Sequence, residues 1–414
     1  MEGRRRRNLS DGQGDPGQVE LEATRVQSIC YDPPLMRSVA ILGSTGSIGK
    51  STLKVLEELP EFRVQSLAAN GDWKTMKQQV ERWKPARVAL ADEAAAAELR
   101  KVVKVEVASG AAAIKDLAAD PGADTVVAAI TGAAGLPASV AAVSAGKRLC
   151  LANKEAMVMA GPLLTAGAME TGATILPIDS EHSAVFQAMR AGGQDEIRRV
   201  ILTASGGPFR EWTREQIAKA TPEQALKHPT WQMGAKITID SATMMNKALE
   251  VIEARWLFSL PVEKIAVVIH PQSIVHSMVE FQDASTIAQL GYPDMCIPIR
   301  YALTFPKRAP TSFGFFDLTK AHRLDFLPPD AERFPALAHG FEAARRGGTA
   351  GAALNGANEA AVALFLDGRI AFPRITDLVA RALLAHSFLP SPSLDDLLAT
   401  DAWARGYVAA EAVK

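Results

Sequence analysis

The stretch SVAILGSTGSIGKSTLKVLEEL, residues 38–59, limits the possible folds of this chain more than any other. An apolar run ends on a glycine, glycines recur at 43, 46 and 49, and an amphipathic run follows at once. That order predicts a strand, a tight turn and a helix, with backbone N–H groups and the helix N-terminus able to surround a pyrophosphate. The GxxGxxG spacing differs from the commonest dinucleotide fingerprint but serves the same geometry. A Walker A loop is excluded, because GKS at 49–51 would need glycine at position 44, where Ser44 stands. The pattern then repeats: FRVQSLAA reads as a strand, WKTMKQQVERWKP as a helix closed by proline, RVALA as a third strand, and ADTVVAAI and KRLCLA as later ones. Alternation of this kind predicts an α/β fold with a Rossmann-like, doubly wound parallel sheet over residues 38–178.

Beyond 178 the pattern changes to longer helices and alternating strands, the second half of AVVIHPQSIVHSMVEF reading as a member of an antiparallel sheet. Residues 179–303 are expected to form an α+β catalytic domain with a mobile loop over 205–235. The Pro- and Phe-rich segment 304–335 reads as a linker, and the Ala/Leu-rich remainder, 336–414, as a C-terminal helical bundle. Residues 1–37 are polar and Gly-rich and lack an apolar core, which excludes a secretory signal and suggests a disordered extension. Met36 offers an alternative start. Charge is balanced, 45 basic against 46 acidic residues, so the electrostatic footprint of a nucleic-acid binder is missing. The three cysteines, Cys30, Cys150 and Cys296, have neither paired nor CxxC spacing, which fits a reducing, cytoplasmic setting. The apolar runs are too broken by Gly and Pro for a membrane span.

Two carboxylates stand close together in PIDSEHSAVFQ, residues 177–187. Read as extended chain, i and i+2 face one side roughly 6–7 Å apart, so Asp179 and Glu181 converge on one cation while Ser180 points elsewhere. Oxygen donors of this type suit Mg²⁺ or Mn²⁺ rather than zinc. IDSATMMNKALEVIEARWLF predicts a helix opening near Ser241 as N-cap, with Asn246, Lys247 and Glu250 on nearly one face. Between these lies TASGGPFREWTREQIAKATPEQALKHPTWQMGAKI, whose SGGP start and isolated Trp231 before Gly234 suit a segment that closes over a ligand. His228 and Trp231 serve equally well as anchors of an ordinary turn. His182, His270 and His276 read as structural.

The acid or base that selects NAD or NADP normally follows the second strand. Here that segment is AANGDWK, with Asp72 favouring NAD and Lys74 able to serve a 2′-phosphate, so the residues leave the choice open. Two rival functions stand beside this reading: a simpler NADP-linked semialdehyde dehydrogenase, which needs a nucleophilic cysteine, and a cofactor-binding sensor, which has no use for converging carboxylates.

Taken in order, GSTGSIG, LANKEAMVMAG, PIDSEHSAVFQ, TASGGPF, HPTWQMGAKITIDSATMMNKALE, HPQSIVHSMVEF, GYPDM and ALNGANEAAVA resemble the 1-deoxy-D-xylulose 5-phosphate reductoisomerases of the non-mevalonate isoprenoid pathway, from about residue 38 to the C-terminus. The resemblance implies a homodimeric enzyme using NADPH and Mg²⁺ or Mn²⁺. It would rearrange a ketose phosphate and reduce the resulting aldehyde to 2-C-methyl-D-erythritol 4-phosphate. By matching positions it implies Asp179, Glu181 and Glu250 as metal ligands, and Ser205, Ser241, Asn246 and Lys247 around the substrate phosphate. Lys154, Ser180, Glu181, His228 and Glu250 would meet the rest of the substrate, with Lys154, Glu181 and His228 catalytic. Thr45, Gly46, Ser47, Ile48, Asn70, Asn153, Glu155 and Gly234 would line the cofactor, and Trp231 and Met233 would lie on the closing loop. One departure stands out: the family's Gly, Lys/Arg, Asn after the second strand is here Asn70, Gly71, Asp72, which removes the usual basic contact to the 2′-phosphate.

Overall fold

A computed structural model describes residues 36–414 except Gln232 and Ala321. Residues 1–35, which carry most of the expected N-terminal extension and Cys30, lie outside the described residues.

Seven strands form the first sheet: β1 (Arg37–Leu42), β2 (Phe62–Ala69), β3 (Arg87–Leu90), β4 (Val107–Ser109), β5 (Thr125–Ala128), β6 (Arg148–Leu151) and β7 (Thr174–Pro177). Their order is β4-β3-β2-β1-β5-β6-β7, and every pairing is parallel. Helices cover both faces, which is why the central strands read as unbroken apolar runs rather than alternating ones. Val39, Ile41, Leu67 and Val127 pack into one layer with Leu53, Val55, Met76 and Ile299. Ala40, Leu42, Ala68 and Val126 pack into the other with Leu117, Leu136 and Met157. Strand order reverses at β1, whose neighbours are β2 and β5. In open parallel sheets the ligand crevice lies at such a switch point, beyond the carboxyl ends of the strands.

The second sheet holds β8 (Ile197–Ala204), β9 (Ile265–Ile269), β10 (Val275–Phe281) and β11 (Thr286–Leu290) in the order β11-β10-β8-β9. As expected for the HPQSIVHSMVEF segment, β10 is antiparallel to both of its neighbours, while β8 and β9 are parallel. The described residues of 305–335 carry no helix or named strand, and the isolated bridge Ile269–Leu327 ties this segment to the end of β9. Four long helices follow: Ala336–Arg346, Ala350–Leu366, Phe372–Ala385 and Leu394–Glu411. Their apolar residues share one core with the second sheet and with the Met245–Leu257 helix, so they support the floor of the site.

Candidate active site

The crevice at the carboxyl ends of β1, β5, β6 and β7 opens into a cleft of about 900 Å³, whose far wall comes from the second sheet and its helices. After β1, Gly43 turns the chain with φ of +94°, and a Cβ there would lie 2.5 Å from the Ala129 carbonyl oxygen. A Cβ on Gly49 would lie 2.4 Å from the Gly43 carbonyl oxygen, so glycine lets the Ser47–Leu56 helix start directly over the strand. Gly46 caps that helix without any side-chain bond, which leaves its first amides open to an anion, with Ser47 and Ile48 on the cleft wall. Thr45, Gly46 and Asn70 are not part of the lining itself. Asp72, read as a possible selector of NAD, is engaged elsewhere: as N-cap of the Trp73–Trp83 helix it accepts from the Thr75 amide at 3.1 Å. The charges of Lys50 and Lys74 both bear on it.

After β6, Asn153 caps the Lys154–Thr171 helix, accepting from the Ala156 amide at 2.9 Å. Its Nδ2 donates to the Ile130 and Gly132 carbonyls at 2.6 and 3.0 Å, which fixes the turn that follows β5. The Lys154 ammonium extends from this helix into the cleft floor, 2.9 Å from Asp179 Oδ2, 2.7 Å from Asn246 Oδ1 and 3.2 Å from Glu250 Oε1.

Asp179 and Glu181 do meet, but not as extended chain. β7 ends at Pro177, and Asp179 is the N-cap of a helix, Ser180–Ala188, accepting from the Glu181 amide at 3.2 Å. A carboxylate in that position satisfies an otherwise unpaired helix amide, which explains why the acids sit at the strand end. One oxygen each from Asp179, Glu181 and Glu250 lie within 4.8 Å of one another. Burial alone would raise Asp179, yet the Lys154 ammonium and a hydrogen bond from His182 hold it well below the usual carboxylate range. Glu250 is pushed up by burial and by the neighbouring Asp179 and Glu181. Three crowded carboxylates need positive charge, and the two lysines supply it here: Lys247 bonds to Glu181 at 2.8 Å and also to Glu250. Ser180 Oγ bonds to Glu181.

Ser241 is not an N-cap. The helix Ala235–Ala242 ends just after it, Met244 adopts a left-handed φ of 63°, and a new helix, Met245–Leu257, begins. Thr243 Oγ1 takes the Met245 amide at 3.2 Å, which accounts for a break that apolar periodicity does not reveal. Ser241 therefore closes one helix while Asn246 and Lys247 open the next, and all three line the cleft. Gly207, with φ of +68°, lets the SGG turn press against this break, since a Cβ would lie 2.5 Å from the Ser241 carbonyl oxygen. Ser205, two residues before Gly207, lines the same cleft as Ser241. The hydroxyl of Ser205 meets His228 Nε2 at 3.0 Å, while His228 Nδ1 accepts from the Thr230 and Trp231 amides at 3.1 and 2.9 Å. Nδ1 is thus the acceptor and Nε2 carries the proton. Burial and the Arg210 charge push this imidazole down to about 4. Trp231, Met233 and Gly234 line the opening, and the Trp231 ring faces His276 at 6.4 Å.

His182 is more than filler. Fully buried, it bonds Asp179 Oδ1 at 3.1 Å and the Glu250 carbonyl at 3.0 Å, with Glu253 3.6 Å away. His270 is bound by the Asp325 carbonyl and stacked on Phe326, a structural role. Lys236, Asp240 and Glu253 were not singled out from the sequence; the Lys-x-x-x-Asp spacing of KITID was the available signal for the first two. The two described cysteines are unsuited to nucleophilic work: burial raises Cys150 and Cys296 to about 12.

Comparison with known proteins agrees with this geometry. Residues 39–161 match the 1-deoxy-D-xylulose 5-phosphate reductoisomerase family, residues 175–258 its C-terminal domain and residues 290–407 the DXP reductoisomerase C-terminal domain. A 1-deoxy-D-xylulose 5-phosphate reductoisomerase of Chlorobaculum tepidum is 51% identical over 374 residues, 89% of this chain and 98% of the relative. The chain belongs to the 1-deoxy-D-xylulose 5-phosphate reductoisomerase family. A reductoisomerase of Heliobacterium modesticaldum is 49% identical over 90% of this chain and 97% of its own. Among solved reductoisomerases, that of Zymomonas mobilis in complex with NADPH is 44% identical with a TM-score of 0.85, covering 92% of this chain and 99% of its own. A DOX-P reductoisomerase in complex with NADPH, fosmidomycin and magnesium is 41% identical with a TM-score of 0.86, covering 91% and 98%.

Proposed function

We propose that the chain carries out the NADPH- and divalent-metal-dependent conversion of 1-deoxy-D-xylulose 5-phosphate to 2-C-methyl-D-erythritol 4-phosphate. The observation that carries this reading is a single cleft bringing together three converging carboxylates, a cluster of Ser, Asn and Lys donors, and an uncapped helix N-terminus after a glycine turn. Asp179, Glu181 and Glu250 offer the all-oxygen set that suits Mg²⁺ or Mn²⁺. Bound there, the cation would supply Lewis-acid stabilisation of oxygen charge as a carbon–carbon bond breaks and re-forms. NADPH, with its pyrophosphate at Gly46–Ile48, would supply the hydride.

The chain's own groups do the rest. Ser205, Ser241, Asn246 and Lys247 surround the phosphate, and that binding energy, remote from the reacting carbons, draws the Trp231–Gly234 segment closed and excludes water. Lys154 sets a full positive charge beside the ligand carboxylates and can hold or release a proton at a substrate oxygen. Ser180 orients a substrate hydroxyl. His228, kept neutral, offers its Nε2–H to the phosphate-side Ser205 and to substrate without adding charge. We assign the cofactor to residues 38–178, the substrate and cation to 179–303, and a supporting role to the helices of 336–414.

We further propose a homodimer in a reducing, cytoplasmic setting. β11 is an outer strand of the second sheet, and Ile287 within it and Tyr292 just past it are 39% and 45% exposed, a template that a second copy can extend. Buried free thiols at Cys150 and Cys296 suit a reducing compartment. No described helix is long and apolar enough to cross a membrane. The deciding assay is NADPH oxidation with the ketose phosphate and Mg²⁺ or Mn²⁺, expected to stop on chelation. No oxidation with either metal would overturn the reading.

A further inference from the structure

The motif ALNGANEAAVA has no role in the chemistry above, and neither does Lys236, yet a chain of buried polar contacts joins them. The Lys236 ammonium lies 2.9 Å from Glu155 Oε1 and 2.8 Å from Asp240 Oδ2. Glu155 Oε2 accepts from Asn153 Nδ2 at 3.0 Å, the same nitrogen that fixes the Ile130–Gly132 turn on the cofactor side. Asp240 Oδ1 accepts from Asn358 Nδ2 at 2.8 Å, and Asp240 precedes Ser241 on the substrate side. The next residue of the motif, Glu359, accepts from the Ala133 amide at 3.3 Å and is paired with Arg405 at 2.7 Å. One helix, Ala350–Leu366, thus holds both ends of the chain.

We propose that Lys236 is a positioning residue that couples the two halves of the site, holding the helix that carries Ser241 to the helix start that carries Asn153 and Lys154. The inference rests on the assignment of NADPH and substrate given above. Each oxygen of Glu155 accepts from one protein donor, so this cleft-lining carboxylate ties Lys236 to Asn153. A buried charge cluster is a poor source of net stability, and its best use is to select one geometry. Here the geometry selected is the register of the Ala235–Ala242 helix, which begins directly after the Trp231–Gly234 segment. NADPH bound against the Ile130–Gly132 turn would bear on the Lys236 contacts through Asn153 and Glu155. Those contacts in turn set Ser241 for the phosphate, and the two ligands help each other equally.

Calorimetry would measure fosmidomycin binding with Mg²⁺, with and without saturating NADPH, in the wild type, Lys236→Met, Lys236→Arg and Glu155→Gln. We expect NADPH to tighten fosmidomycin about tenfold in the wild type and less than about twofold in Lys236→Met and Glu155→Gln, with Lys236→Arg recovering at least half of the coupling free energy. The separate affinities of the folded Lys236 variants should stay within about threefold of wild type, which a general loss of structure would not give. Glu155→Gln leaves the Lys236–Asp240 pair intact and decides alone should Lys236→Met not fold. Wild-type coupling that survives in Glu155→Gln and in any folded Lys236→Met overturns the proposal, as does a wild type that binds both ligands without coupling. A wild type that binds neither overturns the assignment of the site itself.

Discussion

The Lys154 ammonium and the Glu250 carboxylate, 96 residues apart in sequence, meet at 3.2 Å on the floor of the cleft. Both are buried, and Asp179 Oδ2 lies 2.9 Å from the same nitrogen. Removing one partner of a buried ion pair typically costs about 3–5 kcal/mol, because the other charge is left uncompensated. Lys154→Met should therefore lower the melting temperature clearly in EDTA and less in Mg²⁺, since a cation between the carboxylates takes over the lost charge. Thermal denaturation in both conditions checks this. A Mg²⁺ shift no larger in the variant than in the wild type would contradict the shared role of lysine and metal.

Glu181→Gln keeps the size and the helix position but removes one charged ligand. A fall in kcat of at least about a hundredfold is expected, the size of losing one strong electrostatic contact to a developing charge. NADPH affinity should change little, because Glu181 lies beyond β7 while the glycine turn follows β1. Steady-state kinetics and a fluorescence titration separate the two, and an unchanged kcat would sink the metal assignment.

Cofactor preference should depend on Lys74 and Lys50. Asp72 is tied down as a helix cap, and the charges of both lysines bear on it, so positive charge is available beside the end of β2 despite the missing basic residue. Lys74→Ala is expected to lower kcat/KM for NADPH by about tenfold, one phosphate contact, and to leave NADH unaffected. Equal losses with both nucleotides would place Lys74 outside 2′-phosphate recognition.

Much of this site was legible because local patterns report local structure. GSTGSIG between an apolar and an amphipathic run defined the turn and its helix, and Asn246, Lys247 and Glu250 at helical spacing did fall on one face. Two local readings failed for physical reasons. Asp179 looked like strand because the apolar run continues through Ile178, whereas its side chain ends the strand by capping a helix. Ser241 looked like a cap because Ser is a good one, whereas a Thr243 hydroxyl and a left-handed Met244 place the break later. Contacts such as Asn358–Asp240, 118 residues apart, have no local signature.

If β11 is the dimer edge, charge placed there should separate the subunits. Edge strands resist pairing when they carry exposed charge. Ile287→Lys with Tyr292→Glu should halve the mass measured by light scattering without changing the melting temperature of the isolated subunit by more than a few degrees. A dimer that persists at low micromolar concentration would move the interface elsewhere.

His228 gives the site a defined acid limit. Its folded value, about 4, lies below the ordinary 6.5 because burial and the Arg210 charge both oppose a second proton. Protonation would also put an N–H against the Thr230 and Trp231 amides that now donate to Nδ1. On acidification the unfolded chain takes up its proton first. The contribution of neutral His228 is therefore intact above about pH 6.5 and is lost progressively as pH falls from there toward 4. His228→Gln retains an acceptor for the amides and a donor for Ser205 but cannot titrate, so its melting temperature should fall less than the wild type's over that interval. Titration by NMR reads the group directly, and an imidazole that titrates near 6.5 in the folded enzyme would show that burial and the Arg210 charge do not hold it neutral.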